Sequence, residues 1–236
     1  MRDLHCHILP GVDDGAADLA ASLHMLEAAR AVGVTSMVCT PHVNSFWCDR
    51  ERDIRAYAAF RDAAAQVAPE VHVSMGFEVA HSRLMQLGVE QWAPYLRFAE
   101  TPEFLLELDS ACADADFRDY ERTIYALQCL GLTVIIAHPE RYRAVHQNIK
   151  RARDLVDWGC ELQASANFIA AGPFDRGRKT AKRLFDEGLY SFIASDAHRP
   201  EHYEQLARAV QTYGLAEAAE AAATPQPAYR AKHFRQ

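Results

Sequence analysis

Residues 4 to 15 read Leu4-His5-Cys6-His7-Ile8-Leu9-Pro10-Gly11-Val12-Asp13-Asp14-Gly15, and the interpretation of the whole chain starts from this stretch. The pattern from Leu4 to Ile8 predicts a β-strand. Successive side chains of a strand point to opposite faces, so His5 and His7 share one face while Cys6 lies on the other.

The turn after this strand contains two acids. Pro10 and Gly11 end the strand, and the chain then brings Asp13 and Asp14 back toward the same end. Because the two acids are neighbours, we expect one to be a metal ligand and the other to serve the turn or support a ligand. Two imidazoles and a carboxylate form half of a metal site, although a His-x-His pair alone is equally compatible with a polar strand rim.

Composition limits the classes of protein to consider. The chain has 236 residues, 50% of them hydrophobic, which suits one sizeable core, and we interpret residues 1–236 as a single domain. No apolar run reaches membrane-spanning length and no basic, apolar leader precedes the first strand, so we expect a cytoplasmic protein without membrane insertion. A formal charge of −7 gives no electrostatic footprint for nucleic acid. The six cysteines contain no Cys-x-x-Cys pair, which favours reduced thiols.

Helical and strand patterns alternate along the chain. Apolar periodicity and following glycines predict helices over residues 18–32, 49–67, 116–130, 148–158, 176–187 and 200–223. Strands are predicted over residues 4–8, 34–40, 71–75, 104–109, 132–137, 160–166 and 190–194. Residues 81–103 are interrupted by Gly88, Pro94 and Pro102 and give no clear prediction, and the tail from Thr224 onward is expected to be loosely ordered.

This alternation predicts an α/β fold with a parallel sheet. About seven strand–helix units without a second domain favour a closed or nearly closed β/α barrel, whose active site lies at the carboxyl ends of the strands. Polar residues at these ends are His5, His7, His42, Glu78, His138, Asp196 and His198. Surface histidines scattered at random would have no reason to share one end of five strands, so we expect a metal centre there.

The number and type of these residues indicate a metal cluster. With Asp14 added there are eight groups, which are too many for one ion and suit two or three divalent ions, with a carboxylate such as Glu78 bridging. Imidazole and carboxylate without thiolate favour manganese, iron or zinc. The histidines without this placement are interpreted as structural or surface residues: His24, His72, His81, His146, His202 and His233.

Five motifs in order make the chain similar to a known superfamily. They are His5-Cys-His7, Asp13-Asp14-Gly15, Thr40-Pro41-His42, His138-Pro139-Glu140-Arg141-Tyr142 and Ser195-Asp196-Ala197-His198. Together they resemble the polymerase and histidinol phosphatase superfamily. Within it, the chain is most similar to the metal-dependent protein-tyrosine phosphatases of bacterial capsule and exopolysaccharide operons, from the first strand to about residue 215.

The resemblance implies a distorted seven-stranded barrel, a trinuclear and usually manganese-dependent centre, and hydrolysis of phosphotyrosine on a partner tyrosine autokinase. It places metal ligands at His5, His7, Asp14, His42, Glu78, His138, Asp196 and His198, and a phosphate-contacting arginine at Arg141. Metals in such a centre would lower the pKa of water, so that hydroxide attacks phosphorus near neutral pH.

Two segments depart from the family pattern. Residues 162–167 read Leu-Gln-Ala-Ser-Ala-Asn where relatives tend to have Gln-Val-Asn, which leaves the role of Asn167 open. Close relatives can have a second arginine in a longer loop after the final Asp-x-His; here Arg199-Pro200 follows directly, so Arg199 is only a candidate for substrate binding. For Arg141 the alternative is a surface salt bridge with Glu140 or another acid.

Three other functional classes are considered. Cys112 and Arg118 match the Cys-x5-Arg spacing of thiol phosphatases, but the loop between them has two acids and no glycine, so it would repel phosphate. A small-molecule phosphatase of the histidinol phosphate type, or a metal-dependent amidohydrolase, could use the same strand-borne histidines. The last class is a non-enzymatic module that senses metal or docks on a kinase.

Overall fold

The computed structural model describes residues 1–99 and 101–214, where short strands alternate with helices. The strands are β1 (Arg2–Cys6), β2 (Ser36–Cys39), β3 (His42–Val43), β4 (His72–Met75), β5 (Glu78–Ala80), β6 (Glu103–Glu107), β7 (Thr133–Ala137), β8 (Glu161–Ser165) and β9 (Phe192–Ala194). The helices are α1 (Leu19–Ala31), α2 (Arg50–Val67), α3 (His81–Leu87), α4 (Val89–Leu96), α5 (Phe117–Cys129), α6 (Arg143–Gln147), α7 (Lys150–Asp157), α8 (Arg176–Asp186) and α9 (Glu201–Tyr213). Short 3₁₀ helices lie at Asp114–Asp116, Pro139–Arg141 and Ala166–Ala170.

Helix α1 shows how local sequence sets the element boundaries. The side chain of Asp18 accepts a hydrogen bond of 2.8 Å from the backbone N–H of Ala21, which satisfies one of the free donors of the first turn. At the other end, Gly33 has φ +87°, a left-handed conformation that glycine adopts without strain. The helix predicted over residues 18–32 is confirmed.

All strand ladders are parallel, and they form two sheets. One sheet has the order β1-β2-β4 and the other β3-β5-β6-β7-β8-β9. The chain passes from the first sheet to the second in two places, between β2 and β3 and between β4 and β5, with two residues in each gap. Pro41 lies in the first gap and Gly76 in the second. Proline has no N–H for a ladder, which accounts for the first interruption.

The two sheets also meet where β1 lies beside the end of β9. The backbone N–H of His7 donates to the carbonyl of Ala197 and that of Asp196 to the carbonyl of His5, both at 2.8 Å. The buried carboxylate of Asp3 accepts bonds of 2.8 and 2.6 Å from the N–H and hydroxyl of Ser195. The predicted α/β fold with parallel strands is confirmed, but a closed seven-stranded barrel is not, since the ladders divide the strands into two sheets.

Strand β7 shows where the core lies. Val134 and Ile136 belong to the larger apolar cluster, which also includes helix residues, whereas Ile135 and Ala137 belong to a smaller cluster with residues from both sheets. A parallel strand buried on both faces reads as a continuous apolar run, as this one does. The larger set of contacts therefore fixes the helices on the strands, and the smaller one packs the two sheets together.

Two segments differ from the sequence prediction or lie outside the structure's description. Residues 81–96, which gave no clear prediction, form α3 and α4, with Pro94 inside the second of these helices. Of the helix predicted over residues 200–223, α9 covers Glu201–Tyr213 and ends at Gly214, while residues 215–223 and the tail from Thr224 lie outside the described residues. Within residues 1–99 and 101–214, no helix combines the length and apolar character needed to cross a membrane.

Candidate metal centre

His5 and His7 form the start of a cluster of polar side chains at the carboxyl ends of the strands. Strand β1 ends at Cys6, so the predicted strand end at Ile8 is wrong, but the predicted convergence is confirmed because the two Nε2 atoms are 3.1 Å apart. The thiol of Cys6 faces away and donates to the carbonyl of Val38 at 3.4 Å.

Glu78 lies at the centre of this cluster. Its Oε1 is 2.9 Å from Nε2 of His138, and its Oε2 is 2.9 Å from Nδ1 of His42. The same Oε2 lies 3.4 Å from Nε2 of His5 and 3.3 Å from Nε2 of His7. Glu78 and His42 are register partners in neighbouring strands, so the sheet itself places this carboxylate against that imidazole.

Asp14, Asp196 and His198 complete the group predicted from the sequence. Oδ1 of Asp196 is 3.4 Å from Nε2 of His5, and Oδ1 of Asp14 is 3.5 Å from Nε2 of both His42 and His198. The ring of His198 stacks on that of His7 with a centroid distance of 4.1 Å. The structure thus brings together all eight residues for which the sequence predicted metal binding.

The donor atoms of this cluster fit metal ions. Four sets of side chains each offer ligand atoms within 4.8 Å of one another: His7, Asp14, His42 and His198; His5, His7 and Asp196; His5, Glu78 and His138; and His42, Glu78 and Glu107. The sets share members, which suits neighbouring ions. Oε2 of Glu78 and Nδ1 of His42 are buried without a hydrogen-bond partner among the described residues, although they are 2.9 Å apart. Buried polar atoms nearly always form hydrogen bonds, so a contact this short without one leaves both atoms available to a metal ion, and the mixed imidazole and carboxylate set fits such an ion.

Asp13 takes the supporting role expected for one of the two neighbouring acids. Its Oδ2 lies 2.8 Å from Nδ1 of His7 and accepts a bond of 3.1 Å from the N–H of His42. Burial opposes its ionisation, but the hydrogen bond and charge of His7 lower the pKa of Asp13 to about 2. A carboxylate on the outer nitrogen fixes the tautomer and orientation of a ligating imidazole, so Nε2 of His7 faces the cluster.

Gln163 supports the cluster from β8, a role that the sequence did not reveal. Its Oε1 is 3.1 Å from Nδ1 of His5 and accepts a bond of 3.3 Å from the N–H of His138. Its own amide donates to the carbonyl of Ala164 at 2.7 Å, which fixes the orientation of the side chain. The available signal was an amide between Leu162 and Ala164 in the buried part of the strand.

Glu107 is the ligand candidate that sequence reasoning missed. It is the last residue of β6, and its Oε1 lies 3.8 Å from Nε2 of His138. Burial, reinforced by the nearby charge of Glu78, raises the pKa of Glu107 to about 7. The signal was an acid at the carboxyl end of a strand, but the sequence pattern predicts that this strand continues to Asp109.

Two of the cluster residues have strained backbones. His138 has φ 31° and Asp196 has φ 49°, a left-handed region that residues with a side chain seldom occupy. The N–H of His138 is held by Gln163, and the N–H of Asp196 by the carbonyl of His5. The side-chain amide of Asn167 donates to the carbonyl of Asp196 at 3.2 Å, which gives this residue a positioning contact. Such strain is maintained by surrounding contacts and is concentrated at functional sites.

Arg141 lies at the edge of the cluster. Its Nη2 donates to the hydroxyl of Ser165 at 3.0 Å and pairs with Oδ2 of Asp196, while its side chain stays 41% exposed. The salt-bridge partner of Arg141 is therefore Asp196, a residue of the cluster. The carboxylate of Glu140 instead accepts bonds of 2.7 Å from the hydroxyl of Tyr190 and 2.8 Å from the N–H of Ser165.

The two remaining candidates from the sequence lie elsewhere. Arg199 directly follows His198 and is exposed, and its guanidinium forms no hydrogen bond or ion pair within residues 1–99 and 101–214. Cys112 is buried, and burial raises the pKa of its thiol, while Arg118 is exposed on α5. A protonated, buried thiol is a poor nucleophile, so these contacts do not favour the thiol phosphatase alternative.

Comparisons with known proteins agree with this geometry. Residues 1–213 match the family described as capsular polysaccharide synthesis, CpsB/CapC. The chain belongs to this family. The family resemblance read from the five motifs is thereby confirmed.

Individual members of the CpsB/CapC family are similar over most of their length. The chain is 34% identical over 206 residues to the tyrosine-protein phosphatase YwqE of Bacillus subtilis, a match that covers 84% of this chain and 77% of YwqE. It also matches a chain from the crystal structures of YwqE and of CpsB from Streptococcus pneumoniae, described as metal-dependent tyrosine phosphatases, with a TM-score of 0.77, 28% identity and coverage of 92% and 89%. A histidinol phosphate phosphatase from Lactococcus lactis has a TM-score of 0.57 with 12% identity over 92% of this chain and 95% of its own, which shows the shared fold alone.

Proposed function

We propose that this protein is a metal-dependent phosphatase that hydrolyses phosphotyrosine in proteins. The observation that supports this most strongly is the cluster of imidazoles and carboxylates at the strand ends of both sheets, in which Oε2 of Glu78 and Nδ1 of His42 are buried without a hydrogen bond. It occurs in a chain whose family includes proteins named tyrosine-protein phosphatases.

The eight residues His5, His7, Asp14, His42, Glu78, His138, Asp196 and His198 would hold two or three divalent ions, with Glu107 as a ninth candidate. Manganese is the proposed metal, with iron and zinc as the other ions that this donor set suits. When bound, such ions act as Lewis acids and lower the pKa of water for attack on phosphorus. A tyrosine leaving group, with a pKa of about 10, needs less proton donation than an alkoxide.

Arg141 would bind the phosphoryl group. Its planar guanidinium can donate two charge-assisted hydrogen bonds to phosphoryl oxygens, and its contacts with Ser165 and Asp196 hold it at the edge of the cluster. Since its side chain is 41% exposed, it remains accessible to a substrate. Arg199, exposed beside His198, is a second candidate for substrate binding.

The proposal extends to architecture and partner. Residues 1–236 would form a single domain with the distorted seven-stranded barrel that the family resemblance implies, which the hydrogen bonds between β1 and the end of β9 support. The substrate would be a tyrosine autokinase of capsule or exopolysaccharide synthesis, in keeping with the family description. The six cysteines are free thiols, which supports a location in the reducing cytoplasm.

Elemental analysis of the purified protein, combined with a substrate panel, tests this function. Phosphotyrosine peptide should be hydrolysed in preference to histidinol phosphate and to an amide. Chelation should abolish turnover, and manganese should restore it. Full phosphatase activity in thoroughly metal-free protein, or turnover of the amide alone, would contradict the proposal.

A further inference from the structure

A short loop after β3 presents two aromatic side chains next to the metal-binding cluster. Oδ1 of Asn44 accepts hydrogen bonds of 2.9 Å from the N–H of Phe46 and 3.1 Å from that of Trp47. The N–H of Asn44 donates in turn to the carbonyl of Trp47 at 2.8 Å. Because these three hydrogen bonds all lie within residues 44–47, the loop holds its own backbone in place. The turn itself therefore sets the positions of both rings.

Trp47 lies over a side chain of the cluster. Its ring is nearly parallel to that of His42, with an interplanar angle of 15° and a centroid distance of 5.6 Å. The ring of Phe46 is 5.9 Å from that of Trp47 and tilted by 57° to it. Phe46 is nevertheless 85% exposed, so this contact leaves most of its apolar surface in water.

One solvent-exposed part of the cluster lies next to the ring of Trp47. The side chains of His42, Asp14 and His198 are 14%, 52% and 19% exposed, whereas those of His5 and His7 are fully buried. Glu107 is also 27% exposed, but Asp14 lies 3.5 Å from both His42 and His198, so these three residues form one continuous opening through which a substrate can reach the cluster. Trp47 stacks on one of these three residues, which places the loop at the border of the opening.

We propose that Phe46 and Trp47 form an aromatic rim that binds the phenyl ring of phosphotyrosine and makes the site selective for aryl over alkyl phosphate monoesters. This inference rests on the proposed phosphatase function. In an aryl phosphate only one oxygen separates phosphorus from the ring, so a phosphoryl group at the cluster places the ring against side chains that border the opening. Aromatic rings favour one another in offset-stacked or edge-to-face contacts, and covering an exposed phenylalanine removes apolar surface from water.

The test uses two phosphonate inhibitors that differ only in the group on phosphorus, which is phenyl in phenylphosphonate and methyl in methylphosphonate. Their inhibition constants are compared for the metal-loaded parent, Phe46→Ala, Phe46→Tyr and Trp47→Leu, with metal content measured for each protein. Phe174→Ala is the matched control, because Phe174 is 86% exposed on a different loop, before α8. Hydrolysis of phosphotyrosine and phosphoserine peptides of the same sequence provides the kinetic readout.

The parent should bind phenylphosphonate more tightly than methylphosphonate. Phe46→Ala and Trp47→Leu should each reduce this preference by about 2- to 10-fold, the range for one aromatic pair, and should raise KM for phosphotyrosine peptide with little change in kcat. Phe46→Tyr should retain the preference, and Phe174→Ala should not change it.

The outcomes distinguish a failure of the proposed aromatic rim from a failure of the proposed phosphatase function. If the parent hydrolyses phosphotyrosine but Phe46→Ala and Trp47→Leu keep the full phenyl preference at normal metal content, the rim is wrong and the proposed function stands. An equal effect of Phe174→Ala would also overturn the rim. A metal-loaded parent that does not hydrolyse phosphotyrosine peptide overturns both.

Discussion

Arg141 combines two contacts that anchor it with enough exposure to meet a substrate. We predict that Arg141→Ala lowers kcat/KM for phosphotyrosine by roughly 100- to 1000-fold, because removing one preorganised donor to developing negative charge typically costs about 3 to 4 kcal/mol. An exposed ion pair contributes only about 1 kcal/mol or less. Steady-state kinetics distinguish the two magnitudes, and Arg141→Lys should recover only part of the loss.

A neighbouring arginine provides the control for that prediction. Arg143 is exposed two residues further along, and Arg143→Ala should leave the kinetics unchanged. Metal content should stay normal in both variants, since neither guanidinium is a ligand. Near-normal kinetics of Arg141→Ala with full metal occupancy would mean that Arg141 does not bind the phosphoryl group, and Arg199 would then be the remaining candidate.

Cys112 tests the choice of nucleophile. Because burial raises the pKa of this thiol, it stays protonated near neutral pH and cannot serve as an efficient nucleophile. Cys112→Ser should therefore keep kcat/KM for phosphotyrosine within a few fold of the parent, as measured on protein of confirmed folding. A loss of several orders of magnitude, or a phosphocysteine trapped and identified by mass spectrometry, would reverse this conclusion.

The loop between β1 and α1 holds His7 through a contact that only glycine permits. A Cβ atom at Gly15 would lie 1.9 Å from the carbonyl oxygen of His7 and 2.6 Å from its Cβ. Gly15→Ala must therefore displace His7, and we expect reduced metal occupancy together with a loss of stability of about 1 to 3 kcal/mol, as for other overpacked sites. Elemental analysis and chemical denaturation measure the two effects.

Gly172 offers a matched control for this loop. An added Cβ there would meet nothing within 4 Å, so Gly172→Ala should change neither metal content nor stability. If Gly15→Ala binds metal like the parent, the loop is not what positions His7.

The polar strand ends were predictable because they follow from local pattern. Apolar runs mark where parallel strands stop, and parallel strands share one end, so the sequence alone places His42, Glu78 and His138 together. Glu107 was missed because the apolar pattern extends the predicted strand to Asp109. This prediction places the acid inside the strand and not at its end.

Pro41 marks one of the two interruptions locally, but the division of the strands into two sheets could not be predicted in the same way. It depends on contacts between distant parts of the chain, such as the packing of Phe98 against Gly76, where a Cβ atom would lie 2.3 Å from the phenylalanine ring. The contact of Gln163 with His5 is also long range, over 158 residues. Local periodicity specifies strand faces and ends, but it does not specify which ladder each short strand joins.

Across the whole molecule, Asp53 should make stability depend on pH. It is buried on α2, Arg52 contacts only its Oδ1, and burial raises its pKa from 3.8 to about 6. The folded state then keeps a proton that the unfolded state has lost, so stability falls as pH rises from about 4 to about 6. This fall in the free energy of unfolding amounts to at most about 3 kcal/mol between pH 4 and 7, and Asp53→Asn should remove it.

Chemical denaturation of metal-free parent and variant across this pH range measures the effect. Asp62→Asn is the control, because Asp62 is exposed on the same helix with a side-chain exposure of 70%. Parallel pH profiles of Asp53→Asn and the parent would show that Asp53 titrates normally in the folded protein.

Metal binding should link the two sheets. His5 belongs to the three-stranded sheet and Glu78 to the six-stranded sheet, and the same candidate set joins both to His138. A ligand that binds only the folded state stabilises it by about 3 to 4 kcal/mol at 100 to 1000 times its Kd. For a chain of this size each kcal/mol shifts Tm by roughly 2 to 4 °C, so chelation should lower Tm measurably and manganese should restore it.

The location of the effect distinguishes a link between sheets from general stabilisation. After chelation, amide hydrogen exchange should increase first in β1 and in residues 195–198, where hydrogen bonds outside the ladders join the sheets. His7→Ala should weaken the response of Tm to manganese, whereas His24→Ala, on the exposed face of α1, should leave it intact. An unchanged Tm in thoroughly metal-free protein, with exchange at β1 as slow as before, would mean that the sheets hold together without metal and that the cluster serves chemistry alone.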